Sequence, residues 1–273
     1  MKRYLKLVIL GILACFLVIC SEQKVSAATT EDNTFLDNEN GIITISYHNS
    51  SNAKMKIGVT KDKQSYYYDL RDGENEIDVP LNMGNGKYKL KILKNISGTK
   101  YSVIESTNIE LELEDDKIVY LQSNVIIDFD LEDKAIAKAA SLTKNCKTEA
   151  EIVNTIYKFI VKNLSYDYDK VASLTSGYLP DIEIIYKDKK GICYDISAIM
   201  AAMMRSQGVE VKLVTGYTPN IEGVYHAWNL VYDEKKDSWY TIDATYDIAM
   251  YQADRKYSMK KPSKDYADIK YQY

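Results

Sequence analysis

The chain has 273 residues, 46% hydrophobic and 27% charged, with a formal net charge of −4. That length suits two domains better than one, and only 4 Pro and 12 Gly argue against long disordered tracts. An acidic chain without a basic stripe is a poor nucleic-acid binder, so that class of partner is set aside.

The first segment reads as a targeting signal. Lys2, Arg3 and Lys6 precede an uninterrupted apolar or small run, Leu7 to Cys20, and a polar stretch then ends in Val25-Ser26-Ala27-Ala28. This is the layout of a secretory signal peptide over residues 1–27, with cleavage after Ala27, and the run is short for a membrane span. A lipid-attachment cysteine at Cys15 or Cys20, or an uncleaved anchor, are the alternatives. Removing residues 1–27 takes away Lys2, Arg3, Lys6, Lys24 and Glu22, so the net charge falls from −4 to −7. The mature chain keeps Cys146 and Cys193. A disulfide between them is conceivable in an oxidising compartment, and otherwise a free thiol remains.

Residues 28–40 are polar and read as a linker. From Gly41 the hydrophobic period is two. Ile43, Ile45 and Tyr47; Met55, Ile57 and Val59; Tyr88, Leu90 and Ile92; and Ile109, Leu111 and Leu113 each alternate with polar or small residues. Alternation of this kind marks half-buried antiparallel strands. Turn signals at 49–52, 72–73, 84–86, 97–98 and 115–116 separate them. The expectation is an Ig-like β-sandwich of seven or eight strands over residues 41–128, followed by a second domain over 129–273, so that the fold class is α+β.

The period then becomes helical. Residues 132–144 read as one helix. Thr148 and Glu151 form a capping box for a second, 149–164, whose Ile152, Ile156, Phe159, Ile160 and Leu164 share a face. Residues 165–190 look irregular. A third helix starts near Cys193, carries Ile196, Ile199, Met200 and Met203 on its apolar face, and ends at Gly208. Strands are expected at 209–217, 225–232 and 238–243, the last two as a hairpin around Asp233–Asp237.

Three stretches carry chemistry: Gly191-Ile192-Cys193-Tyr194-Asp195, Tyr225-His226-Ala227-Trp228-Asn229 and Thr241-Ile242-Asp243-Ala244-Thr245. Backbone N–H groups and the dipole at a helix start stabilise a thiolate, so Cys193 is placed to be a nucleophile. Gly191 lets substrate or backbone come close. If the hairpin loop is Glu234-Lys235, His226 faces Asp243 directly; if it is 234–237, Asp243 is diagonal to His226. Both registers keep the two on one sheet face, where the carboxylate would fix the imidazole tautomer. The Cys193 helix would then pack on that face. Trp228, on the same face, either walls the site or is core; Tyr225 and Tyr178 are further candidate wall residues. Asn229 points the other way, toward backbone. Cys146 reads as structural, His48 as a surface or edge residue, and Tyr166 and Asp167 as braces. No cluster has metal-ligand spacing and no Gly-rich loop suits phosphate, so no cofactor or metal is expected.

From Lys190 to Asp247 the chain resembles the transglutaminase-like superfamily. The matching segments are Gly191-x-Cys193, Arg205-Ser206-Gln207-Gly208-Val209, Val214-Thr215-Gly216-Tyr217, His226-Ala227-Trp228-Asn229 and Asp243-Ala244-Thr245, with Tyr166-Asp167 before them. The resemblance covers roughly residues 130–250 and does not extend to the β-domain. It implies a papain-like core with Cys193 as nucleophile, His226 as base and Asp243 as the orienting carboxylate. The expected activity is acyl transfer through a thioester, with cross-linking slightly preferred over hydrolysis on protein or peptidoglycan-peptide amides. The signal peptide leads to the expectation of a location in the envelope or outside a bacterial cell, with docking of the β-domain to a cell-wall component as a further reading. A binding module with a vestigial site is the reading from another class.

Overall fold

The computed structural model describes residues 29, 30, 33–38, 40–51, 53–221 and 223–273. The expected signal peptide, with its alternatives at Cys15 and Cys20, lies outside the described residues.

The N-terminal half is two antiparallel sheets. Strands β1 (Thr29–Thr30), β2 (Asn33–Asn38), β3 (Ile42–Asn49), β4 (Met55–Lys61), β5 (Gln64–Leu70), β6 (Gly73–Pro80), β7 (Gly86–Ser97) and β8 (Lys100–Leu111) are sorted as β1-β2-β3-β6 and β5-β4-β7-β8. The alternating apolar residues do what their period requires. Ile43, Ile45 and Val79 of the first sheet share one buried cluster with Ile57, Val59, Tyr68, Leu90 and Ile92 of the second, which places the two sheets face to face. Six strands therefore lie between residues 41 and 128 among the described residues, against the seven or eight expected. The difference sits upstream. The 28–40 stretch, expected as a linker, supplies β1 and β2, and β2 pairs with β3 from Thr34↔Ser46 to Asn38↔Ile42. Asn and Asp at its ends hide the short Thr34-Phe35-Leu36 core of that strand from a periodicity count.

The second half is helices packed on a five-stranded sheet. The helices are α1 (Lys134–Thr143), α2 (Glu149–Asn163), α3 (Tyr168–Ser173), α4 (Ile182–Asp188), α5 (Cys193–Arg205) and α6 (Ala244–Gln252). The strands β9 (Ser165–Tyr166) and β10 (Lys190–Gly191) pair with each other in parallel. Strands β11 (Val211–Tyr217), β12 (His226–Asp233), β13 (Ser238–Ile242), β14 (Lys260–Lys261) and β15 (Asp268–Gln272) form a sheet in the order β14-β13-β12-β11-β15. The capping box at α2 is half displaced: Thr148 Oγ1 accepts the Glu151 N–H at 3.3 Å, but Glu151 Oε2 accepts from the Lys147 N–H at 2.6 Å, one residue before the cap. Helix α5 is the centre of the domain, with every residue from Asp195 to Arg205 buried. Among the described residues no helix is long and apolar enough to cross a membrane.

Arg205 ties the halves together from the last turn of α5. Its Nε and Nη2 donate to the Val211 carbonyl at 3.0 and 2.7 Å, Nη1 to the Gln122 carbonyl at 2.7 Å, and Nη2 also to the Tyr273 carbonyl at 2.9 Å. Burial lowers its pKa to about 9. Gln122 lies on the connector between the domains, and β15 is stitched to the β-domain by Asn82, whose Nδ2 donates to the Gln272 carbonyl at 2.6 Å. Replacing Arg205 by Met should remove the guanidinium from the Val211, Gln122 and Tyr273 carbonyls in a dry site; Tyr273 keeps the Leu213 N–H, so the cost falls on the other two, at roughly 1–3 kcal/mol for each group left unsatisfied. The expected result is a loss of about 3 kcal/mol or more in urea denaturation; a midpoint equal to that of wild type would show that these bonds do not hold the halves together.

Candidate active site

The site is assembled from the ends of three elements. Cys193 is the first residue of α5, His226 the first residue of β12, and Asp243 the residue between β13 and α6. Hairpin β12–β13 takes the longer-loop register, Asp233↔Ser238 to Asn229↔Ile242. Asp243 therefore falls just past the strand and becomes the N-cap of α6, its Oδ1 accepting the Tyr246 N–H at 2.9 Å. Its Oδ2 accepts from His226 Nε2 at 2.8 Å and from the Tyr266 hydroxyl at 2.9 Å. Asp243 is completely buried and His226 is 3% exposed.

With Nε2 committed to Asp243, Nδ1 is the ring nitrogen left for Cys193, whose thiol is within hydrogen-bonding reach of the ring. Burial alone would push the imidazole pKa down; its hydrogen bonds to Asp243 and Cys193 and their negative charge outweigh that and raise it to about 10. Cys193 is half-buried. A thiol at a helix start, an imidazole held protonated and a buried carboxylate behind it can form a thiolate–imidazolium pair.

The helix does not pack where expected. Asn229 Nδ2 donates to the Ser197 carbonyl of α5 at 3.0 Å, so the helix lies against the Asn229 face and not against that of His226 and Trp228. The pairing of thiol and ring happens at the first residues of α5 and β12, beside the sheet. Of the two roles open to Trp228, site wall or core, it takes the core one. It is fully buried, its ring centroid 6.2 Å from that of His226 and 5.3 Å from that of Tyr266, in a small cluster with Val214. It backs the histidine and presents no wall to a substrate. Gly216 makes room for it and for the neighbouring strand, since a Cβ there would stand 3.0 Å from the Trp228 ring and 2.1 Å from the Asp268 carbonyl oxygen. Tyr225 remains at the surface, 45% exposed, its hydroxyl 2.6 Å from Thr215 Oγ1 and its ring edge-on to Tyr217. Tyr178 is half-buried, and its hydroxyl donates to Asp195 Oδ1 at 2.6 Å.

Gly191 makes room for a side chain of its own helix and not for substrate or backbone: a Cβ there would lie 2.6 Å from the Asp195 Cβ. Tyr166 pairs with Gly191 across β9–β10, and burial first, then the charge of Cys193, push its pKa up to about 12. Asp167 caps α3 through the Lys170 N–H at 3.1 Å. Both thus brace the segment before the thiol. Cys146 and Cys193 are both free, so the conceivable disulfide does not form. Exposed His48 meets Glu74 at 2.7 Å, far along the chain from the site. Among the described residues no three His, Cys, Asp or Glu side chains gather as metal ligands.

Sequence reasoning missed three participants. Tyr266 sits in a tail with no periodicity, and nothing in the sequence marks it. Asp195, an acid at the third residue of a helix, carries a capping signal that was available. Asp247, fully buried one turn after Asp243, accepts from the Tyr157 hydroxyl at 2.8 Å and from Lys261 Nζ.

The raised pKa of His226 has a defined pH signature. A folded-state value above the ordinary 6.5 means that its contribution to stability is complete below about pH 6.5 and is lost as pH climbs toward about 10. The His226 ring proton resonances should therefore show imidazolium at neutral pH and titrate near pH 10 in an NMR series. A midpoint near 6.5 in the folded protein would rule out the ion pair.

Residues 136–244, which include Cys193, His226 and Asp243, match the family model of the transglutaminase-like superfamily. No curated protein matches the chain significantly. Among solved structures it is similar to a candidate cysteine protease from Cytophaga hutchinsonii, at 17% identity over 81% of this chain and 70% of that one with a TM-score of 0.42. It is similar to the periplasmic domain of TgpA from Pseudomonas aeruginosa, at 12% identity over 74% and 91% with a TM-score of 0.36. Red sea bream transglutaminase is a third, at 13% identity over 76% of this chain and 48% of that one with a TM-score of 0.32. By the family match, residues 136–244 are a transglutaminase-like superfamily domain, carried behind an N-terminal antiparallel β-domain.

Proposed function

We propose that the protein is a cysteine-dependent acyl-transfer enzyme in which Cys193 is the nucleophile, His226 the general base and acid, and Asp243 the carboxylate that orients the imidazole. The observation that carries this is the buried His226–Asp243 bond of 2.8 Å with the helix-start thiol on the far side of the ring. In the resting ion pair His226 already carries the thiol proton; the thiolate adds to an amide carbonyl, and the oxyanion is held by backbone N–H groups at the start of α5. Collapse to a thioester expels the amine with the proton from His226. Water or an amine then releases the acyl group.

Water, at about 55 M, wins this second step unless an enclosing wall excludes it and positions an amine. The slight preference for cross-linking rests on an aromatic wall of Trp228, Tyr225 and Tyr178. Trp228 lies behind the histidine and the Tyr178 hydroxyl is bound to Asp195, which leaves Tyr225 alone at the surface. Hydrolysis of a peptide or side-chain amide is the better-supported outcome, with transamidation second. The Leu7–Cys20 apolar run supports export, and with it substrates among envelope proteins or peptidoglycan peptides.

Cys193 should alkylate with iodoacetamide much faster than Cys146 at neutral pH, read by peptide mass spectrometry against time. Equal rates in the folded protein would refute an activated nucleophile. Asp243→Asn should reduce turnover of a glutamine-bearing or peptidoglycan-derived peptide by about 10⁴-fold while circular dichroism stays that of wild type; undiminished turnover would remove Asp243 from the triad. With labelled primary amine present, hydrolysis predicts cleaved or deamidated peptide and little label, whereas dominant amine incorporation would reverse the order of the two readings.

A further inference from the structure

Asp195 is fully buried on the first turn of α5, two residues after Cys193, and the chemistry proposed above gives it no part. Its Oδ2 accepts from the Ile192 N–H at 3.0 Å and from Lys170 Nζ at 2.6 Å, and its Oδ1 accepts from the Tyr178 hydroxyl at 2.6 Å. Lys170 Nζ also donates to the Tyr178 oxygen at 2.5 Å and lies 4.7 Å from that ring's centroid. Three separate segments, α3, the loop before α4 and α5, thus converge on one carboxylate.

That carboxylate is a contradiction beside a thiolate. It holds the backbone just before Cys193 by binding the Ile192 N–H, and a buried acid on the first turn suits the helix dipole. Its charge also repels a thiolate formed two residues away and competes with it for the same dipole. A like charge nearby raises the proton affinity of an acid, and an opposite charge lowers it. Lys170 is the group that resolves the conflict, because its ammonium sits directly on the carboxylate.

We infer that Lys170 is a positioning residue of the acyl-transfer site: it neutralises Asp195, so that the carboxylate can fix the start of the Cys193 helix without disfavouring the thiolate. The inference rests on Cys193 being the nucleophile. Its signature is a pair of opposite shifts. In Lys170→Met the carboxylate keeps the Ile192 and Tyr178 donors and faces the thiolate without its counter-charge. In Asp195→Asn the ammonium is left without its counter-charge and favours the thiolate.

The test is the pH profile of Cys193 alkylation by iodoacetamide, resolved by peptide, in the full chain. Lys170→Met should move the midpoint up by about one pH unit, Asp195→Asn should move it down, and the double variant should return near wild type. Lys170→Arg, which keeps the charge, should leave it unchanged. Shifts of the same sign in both single variants, or none in Lys170→Met, would show a packing brace and overturn the inference. If Lys170→Met does not fold, Asp195→Asn decides alone: a downward shift supports the inference, and an unchanged or raised midpoint overturns it. The two levels of argument fail differently. Equal alkylation of Cys193 and Cys146 in the wild type would remove the nucleophile and this inference with it. A Lys170→Met profile that overlays an activated wild type would remove this inference only.

Discussion

The constraint on which the rest depends is the burial of the Asp243 carboxylate. A charge with no access to water must find donors for both oxygens, because an unpaired buried carboxylate costs several kcal/mol. Asp243 meets that demand from three directions: Oδ1 takes a backbone N–H of α6, and Oδ2 takes the His226 ring and the Tyr266 hydroxyl. One residue therefore starts a helix, sets the plane of the imidazole and anchors the tail. The ring of Trp228 lies between 5 and 7 Å from those of Tyr266 and His226 and closes the space beside them. The tail between α6 and β15, which looks like an appendage in the sequence, is part of the geometry around His226.

The two helices whose N-termini meet at the site are anchored alike. In the first turn of α5, Asp195 is held by Lys170 and Tyr178; in that of α6, Asp247 is held by Lys261 and Tyr157. Each trio supplies an acid where the dipole favours one, an ammonium that cancels its charge, and a phenol that donates to the carboxylate. Burial and the Lys261 bond pull the Asp247 pKa in opposite senses, and burial prevails, raising it. Charged groups buried in this way are a weak source of stability but a strong source of geometry, since only one arrangement satisfies them all. The ends of α5 and α6 are where that geometry is needed.

Much of this was legible in the residues, and the rest failed for identifiable reasons. The alternation of Ile43 and Ile45, or of Leu90 and Ile92, predicted strands because one sheet face is buried and the other is not. Thr148 predicted the start of α2 because its hydroxyl has one obvious donor to satisfy. Both hairpin registers predicted that His226 and Asp243 lie close together, and the structure chose the longer loop. Helix α6 was hidden because only four of its nine residues, Ala244, Thr245, Asp247 and Ile248, are buried and two of those are polar, so hydrophobicity does not mark its buried face. The packing of α5 on the opposite face was hidden because alternation says which residues share a face and not which element covers it. Lys170 and Tyr266 come from stretches without periodicity, where only tertiary structure assigns a partner.

The β-domain is bound into the same frame. Gly177 turns the loop before α4 with a φ of +80°, and a Cβ on it would stand 2.7 Å from Asp69 Oδ2 of strand β5. The next residue, Tyr178, bonds Asp195. The chain of direct contacts thus runs from the β-sheet through Gly177 and Tyr178 to the carboxylate that holds the residue before Cys193. At the other end of α5, Arg205 binds the inter-domain connector at Gln122 and the end of the tail at Tyr273. Helix α5 is therefore held at both ends by groups that also touch or continue into the β-domain. The backbone just before Cys193 and the β-domain are thus joined through Asp195, Tyr178 and Gly177, so residues of both halves contribute to where the thiol sits.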